Sequence, residues 1–242
     1  MKKTALLIVL ILTLFKPSTA QAQDNGVAVA TAAAGALLAI GAGVAAVEQM
    51  KERAELMATE WVLAHNPELE NFSLKTLDFD GKKLKDMSAT SVLTFKIQEF
   101  TPSDKPELDG RKQVLLAFTS YGWINEYGID FDKVQWFLID ASEWLKMMTS
   151  YVKVASGEQN ESFIKEQLSI GKIVNKGVKE KSKTVIPFYQ LSGDMYVVTD
   201  YSADMKFIYN EKSLGIFLKE TQNLVQISRG SIIDIHDFFF EE

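Results

Sequence analysis

Val134-Gln-Trp-Phe-Leu-Ile-Asp-Ala-Ser-Glu143 decides how this chain is read. Its first six residues are rich in β-branched, aromatic and aliphatic side chains, the composition of a strand. Asp140 then stands three residues ahead of Glu143, the spacing of a helix N-cap and its reciprocal partner. The spacing predicts a helix to about Val154, carrying Trp144, Leu145, Met147, Met148 and Tyr151. A strand passing into a helix, with further strands on both sides, makes the fold α+β.

Working outward, residues 72–79, 91–100 and 113–120 are apolar runs with mostly alternating pattern, and each reads as a strand. Asp80-Gly81 and the segment 101–110, with two prolines and Asp109-Gly110, supply the turns between them. A second, more polar helix is expected within 161–173, and strands at 184–191, 195–199, 205–209, 214–219, 224–228 and 232–236. Connections this short favour a mainly antiparallel meander. Residues 48–242 therefore form one α+β domain with two middle helices, and a division into two lobes near 156–160 is left open. No repeat of fixed period is apparent.

The N-terminus has a separate logic. Lys2 and Lys3 precede an uncharged run of 11 residues from Ala5 to Phe15, then Lys16-Pro17 and the small-residue site Ala20-Gln21-Ala22. Positive, apolar and small-residue regions in that order read as a cleavable signal peptide over 1–22, with Gln23 as the first mature residue. The apolar run is too short to span a bilayer, which takes about 20 helical residues. No cysteine follows for lipid attachment. The expected destination is the periplasm or cell envelope of a bacterium, or the exterior.

A second uncharged segment, 26–47, contains ten Ala and four Gly among its 22 residues. Its length suits a membrane span, whereas its composition contributes little to insertion. Gly35, Ala39 and Gly43 fall on one helical face in a glycine-zipper-like series, the surface by which closely packed helices associate. Residues 23–47 are thus expected to form an Ala/Gly-rich helix for membrane association or self-association; a linker helix is the plainer alternative. Val47, Met50, Ala54, Met57, Trp61 and Val62 continue the helical period as a core-facing stripe until Asn66-Pro67.

Composition excludes several functions. Removing 1–22 takes away Lys2, Lys3 and Lys16, so 23 basic residues face 32 acidic ones, a charge of −9. Nucleic acid is not an expected partner for such a surface. Zero cysteines exclude disulfides and thiolate chemistry. Only His65 and His236 offer imidazoles, and no HExxH, GxSxG, phosphate-loop or dinucleotide pattern occurs. His65 beside Asn66-Pro67 reads as a helix cap. Asp234 and His236 would share one face of a strand, a pair that a serine such as Ser231 could use in a hydrolase. Asp78-Phe-Asp80, Asp130-Phe-Asp132, Asp200 and Asp204 read most simply as turn residues. Neither a metal nor a cofactor is expected.

Eight aromatic residues fall between Tyr121 and Tyr151, three of the four tryptophans among them. Large aromatics are mostly buried, so core packing is the ordinary reading. The glycine-bracketed loop 121–128 is the place where such rings could instead meet a protein or glycan partner, through Trp123, Asn125, Glu126 and Tyr127. Lys172, Lys176, Lys179, Lys181 and Lys183 read as a solvated connector. The expectation is a non-enzymatic envelope protein with a binding or scaffold domain. A glycan or peptide hydrolase and a secreted membrane-inserting protein are the alternatives.

Overall fold

A computed structural model describes residues 44–77, 92–120, 122–125, 128–189, 196–210 and 212–241. The signal peptide 1–22, most of the segment 23–47 and the packing residues Gly35, Ala39 and Gly43 lie outside the described residues. In chain order the elements are α1 (Val44–His65), β1 (Phe72–Thr76), β2 (Val92–Glu99), β3 (Lys112–Thr119), β4 (Ile124–Asn125), β5 (Gly128–Ile129) and β6 (Val134–Asp140). There follow α2 (Ala141–Ser156), α3 (Glu161–Ile170), β7 (Lys172–Val174), β8 (Gly177–Glu180), β9 (Lys183–Pro187), β10 (Val197–Asp200), β11 (Met205–Tyr209), β12 (Ser213–Leu218), β13 (Asn223–Ser228) and α4 (Arg229–Phe240). The α+β class is as the sequence predicts.

The first sheet has the order β1-β2-β3-β6 and is antiparallel throughout. Alternation along its central strands sends Leu93, Phe95, Ile97, Leu115 and Ala117 to one face, where α1 covers them with Met50, Ala54, Ala58 and Val62. These four helix residues fall at steps of four, and the two alanines let the helix lie close to the sheet. Ala58 belongs to this stripe, whereas the expected Met57 is only partly buried. Where the helix ends, His65 donates from Nδ1 to the Trp61 carbonyl at 2.9 Å, the capping role its position implied.

Val92, Val114, Leu116 and Phe118 point to the opposite face and join a larger cluster. That cluster takes in Trp144, Met148 and Val152 of α2, Ile164 and Leu168 of α3, and Ile232 and Ile235 of α4. The second sheet, an antiparallel meander β10-β11-β12-β13, contributes Phe207, Tyr209, Leu214, Ile216 and Val225. One apolar cluster therefore runs across residues 156–160.

The Asp140 side chain accepts from the Glu143 backbone N–H at 2.8 Å, capping α2 as its spacing predicts. Two expectations fail downstream. Residues 232–236 are not a strand but part of α4, which Ser228 caps by accepting from Ser231 N–H at 3.1 Å. The run of Ile and His permits either period, and the helix wins because Ile232, Ile235, His236 and Phe239 make a single buried face. The lysine-rich stretch is no loose connector: β7-β8-β9 form a sheet of two tight hairpins, with the lysines at turns and solvent positions and Ile173, Val178 and Ile186 inside.

Gly177 is the keystone of the first hairpin. Its φ is +143°, and a Cβ there would lie 2.1 Å from the Ile186 carbonyl oxygen. Gly177→Ala should destabilise the protein by about 2 to 3 kcal/mol through backbone strain and displacement of β9. Gly230→Ala, in the first turn of α4 where a Cβ meets only Ser228 Oγ at 3.6 Å, should instead stabilise by about 0.5 kcal/mol. Urea midpoints of the two variants, moving in opposite directions, check both.

Candidate functional site

Of the four residues singled out in the loop 121–128, Trp123 is the one whose side chain is described. Trp123 is 1% exposed and packs in the cluster beneath α1. Its backbone brackets a tight turn, with N–H donated to Ser120 O at 3.2 Å and the carbonyl accepting from Asp130 N–H at 2.7 Å. That turn tips the indole inward, so Trp123 serves the core rather than a ligand-facing surface. Asn125 lies in the short β4–β5 hairpin opposite Gly128. Glu126 and Tyr127 lie outside the described residues.

The hydrolase constellation also dissolves. His236 is 1% exposed, and on a helix Asp234 points away from it. Trp144 Nε1–H donates to His236 Nδ1 at 3.3 Å, and His236 Nε2–H donates to the Gly171 carbonyl at 3.3 Å. Both bonds suit one neutral tautomer. Burial holds the imidazole pKa down to about 4, against a small opposing effect of the carbonyls of Gly171 and Leu168. Ser231 is occupied at the cap of α4, 2.9 Å from Ser228 Oγ.

The carboxylate pairs are turn and surface residues where they are described. Asp130 faces Lys133 at 3.6 Å, and Asp200 faces Lys219 at 3.0 Å and Lys206 at 3.6 Å. Asp78 and Asp80 lie outside the described residues. Among the described residues no group of three or more His, Cys, Asp or Glu could hold a metal ion.

A different set of residues is brought together by strand register. Ser73, Gln98 and Lys112 stand in one row across β1, β2 and β3, and Lys75 and Lys96 stand opposite each other in the next. All five side chains share the face that is dry core farther along the same strands, at Val92 and Leu116. The last turn of α4 overhangs this end of the sheet, and a cavity of about 220 Å³ opens between Lys75, Lys96, Lys112 and Asp237, Phe238, Glu241. The Lys96 and Lys112 ammoniums sit 5.9 and 5.6 Å from the centre of the Phe238 ring, within cation–π range.

The electrostatics of this cleft are unbalanced. Glu241 is paired with Lys172, and its backbone carbonyl accepts from Lys112 Nζ at 3.2 Å. Glu55 of α1, beside the cleft, accepts from Thr76 N–H and Oγ1 at 2.8 and 2.9 Å. Lys75 and Lys96 make no ion pair among the described residues, although like charges directly opposite on neighbouring strands repel. Asp237 Oδ1 is enclosed without a hydrogen-bond partner, and burial raises this carboxyl above the usual range against the pull of Lys172. A larger depression, about 450 Å³, lies beside Ser156 and Glu158. There, Ser156 Oγ donates to Val152 O, and Glu158 Oε1 accepts from the Gln159 and Asn160 N–H groups.

No family model, curated protein or solved structure matches the chain. The lysine cleft therefore stands on its geometry alone. Its members come from four separated elements, and the one local signal is in β2, where the face of Val92 turns polar at Thr94, Lys96 and Gln98.

The His236 geometry makes a pH prediction. The folded-state pKa of about 4 lies below the ordinary 6.5, so the unfolded chain binds the proton first. The contribution of this group is complete above pH 6.5 and is lost as pH falls towards 4, by roughly 3 kcal/mol in total. His236→Gln keeps one acceptor and one donor without a titrating ring. Its unfolding free energy should fall less steeply than the wild type's between pH 7 and 4.5; parallel curves would refute this assignment.

Proposed function

We propose that the chain is an exported bacterial envelope protein with a non-enzymatic binding role, held to a membrane or to copies of itself through residues 26–47. The observation that carries this reading is the continuity of α1. The helix begins at Val44, inside the Ala/Gly-rich run, and continues without a break to His65. Met50, Ala54, Ala58 and Val62 clamp it to the first sheet. Residues 44–47, the described end of the apolar segment, thereby share one helix with the stripe that packs on the folded domain, as a scaffold or tethered binding protein requires.

The export signal 1–22 supplies the address and the tether supplies the attachment. Among the described residues, which do not include 26–43, no helix is long and apolar enough to cross a membrane. The hydrolase alternative loses its proposed base, because His236 is enclosed by Trp144 and Gly171. The lysine cleft is the surface that suits a binding role.

Fractionation with N-terminal sequencing tests the reading. The mature protein should begin at Gln23, be found in the envelope and resist extraction by salt or alkali. Release by salt or alkali alone would sink the tether, and an intact N-terminus in the cytoplasm would sink export. Gly35→Leu with Gly43→Leu should reduce the assembly size seen by light scattering in detergent if the small-residue face packs.

A further inference from the structure

We propose that the cleft between the edge of the first sheet and the last turn of α4 binds a small phosphate ester, such as a phosphoglycerol or sugar phosphate group. This rests on the binding role proposed above and names the ligand chemistry. Lys75, Lys96 and Lys112 line the cavity with two carboxylates, Asp237 and Glu241. Glu241 is already paired with Lys172. The cleft thus carries a positive excess in a protein whose mature chain is strongly acidic, and an anion relieves the repulsion between Lys75 and Lys96.

Edge protection accounts for part of this pattern but not all of it. A lysine on an outer strand such as β1 discourages pairing with other chains. Lys96, however, lies on β2, between two neighbours, and Lys112 on β3. Ammoniums bind phosphate as point charges, whereas planar carboxylate recognition favours the arginine fork, which the cleft lacks. Phe238 gives the carbon skeleton an apolar wall. A cavity of 220 Å³ has the volume of about seven waters, which suits a phosphate on a short polyol better than a nucleotide.

The test titrates the mature full chain with glycerol 3-phosphate, with inorganic phosphate, and with phosphatidylglycerol vesicles against phosphatidylcholine vesicles. Saturable binding of glycerol 3-phosphate or of the anionic vesicles is expected. Lys96→Gln and Lys75→Ala should each weaken it about tenfold, the loss of one charge-assisted hydrogen bond. Lys206→Gln, on the second sheet, should leave it unchanged. Thermal unfolding confirms that each variant is folded, and Lys75 is exposed, so its replacement does not threaten the core.

Vesicle binding counts only as far as the lysine variants reduce it, since residues 26–47 are proposed to hold lipid by themselves. Binding of the vesicles but not the free ester makes a lipid headgroup the source, and the reverse makes it a soluble ester. No saturable binding of any probe, or binding that both lysine variants retain, overturns the proposal. A mature protein released by salt that binds the ester would overturn the tether and keep the cleft. A membrane-held protein that binds none of the probes would do the opposite.

Discussion

The burial of β2 and β3 on both faces is the constraint from which the rest of the structure follows. Phe95 and Leu115 are dry on one side, Leu116 and Phe118 on the other. Burying four such side chains contributes on the order of 10 kcal/mol, comparable to the whole net stability of a domain. Two covers are therefore obligatory. One is α1, contributed by the segment before the sheet; the other is built from everything after Asp140. Neither cover is optional, so the domain holds together through its central strands.

Each cover reaches only so far. α1 lies against Leu93, Phe95 and Ile97 and fastens the edge strand through Glu55 and the Thr76 N–H. On the opposite face the last turn of α4 ends over Lys96 and Lys112, with Phe238 against both ammoniums and the Glu241 carbonyl accepting from Lys112. The polar residues of β1, β2 and β3 lie beneath that last turn, and the cleft is a consequence of where the second cover ends.

Much of the architecture was legible where local signals and burial agree. Alternation marked β2 and β3, Asp140 announced α2 by its distance from Glu143, and Asn66-Pro67 ended α1. Reading failed where two periods fit the same letters. Ile232, Ile233, Asp234 and Ile235 satisfy a strand, and only the surrounding core shows that Ile232, Ile235 and Phe239 need a helical face. The lysine run misled because charge was taken for looseness, although Ile173, Val178 and Ile186, one from each strand, meet through the hairpin registers. The candidate site was not legible, because Lys75, Lys96 and Lys112 meet only through register. Trp123 shows the converse: its flanking glycines mark a turn, but the direction in which that turn aims the ring is a tertiary property.

α1 and the cleft meet at one strand, β1, and this sets their relative position. Glu55 lies 11 residues along α1 from Val44, a rise of about 16 Å. Its carboxylate holds Thr76 N–H, and the preceding residue on β1 is Lys75, which lines the cleft. A site fixed at that height is joined to the helix by only a strand and one hydrogen-bonded carboxylate. For a tether that packs with other copies, the same distance gathers several clefts around one axis, where avidity rather than single-site strength governs binding.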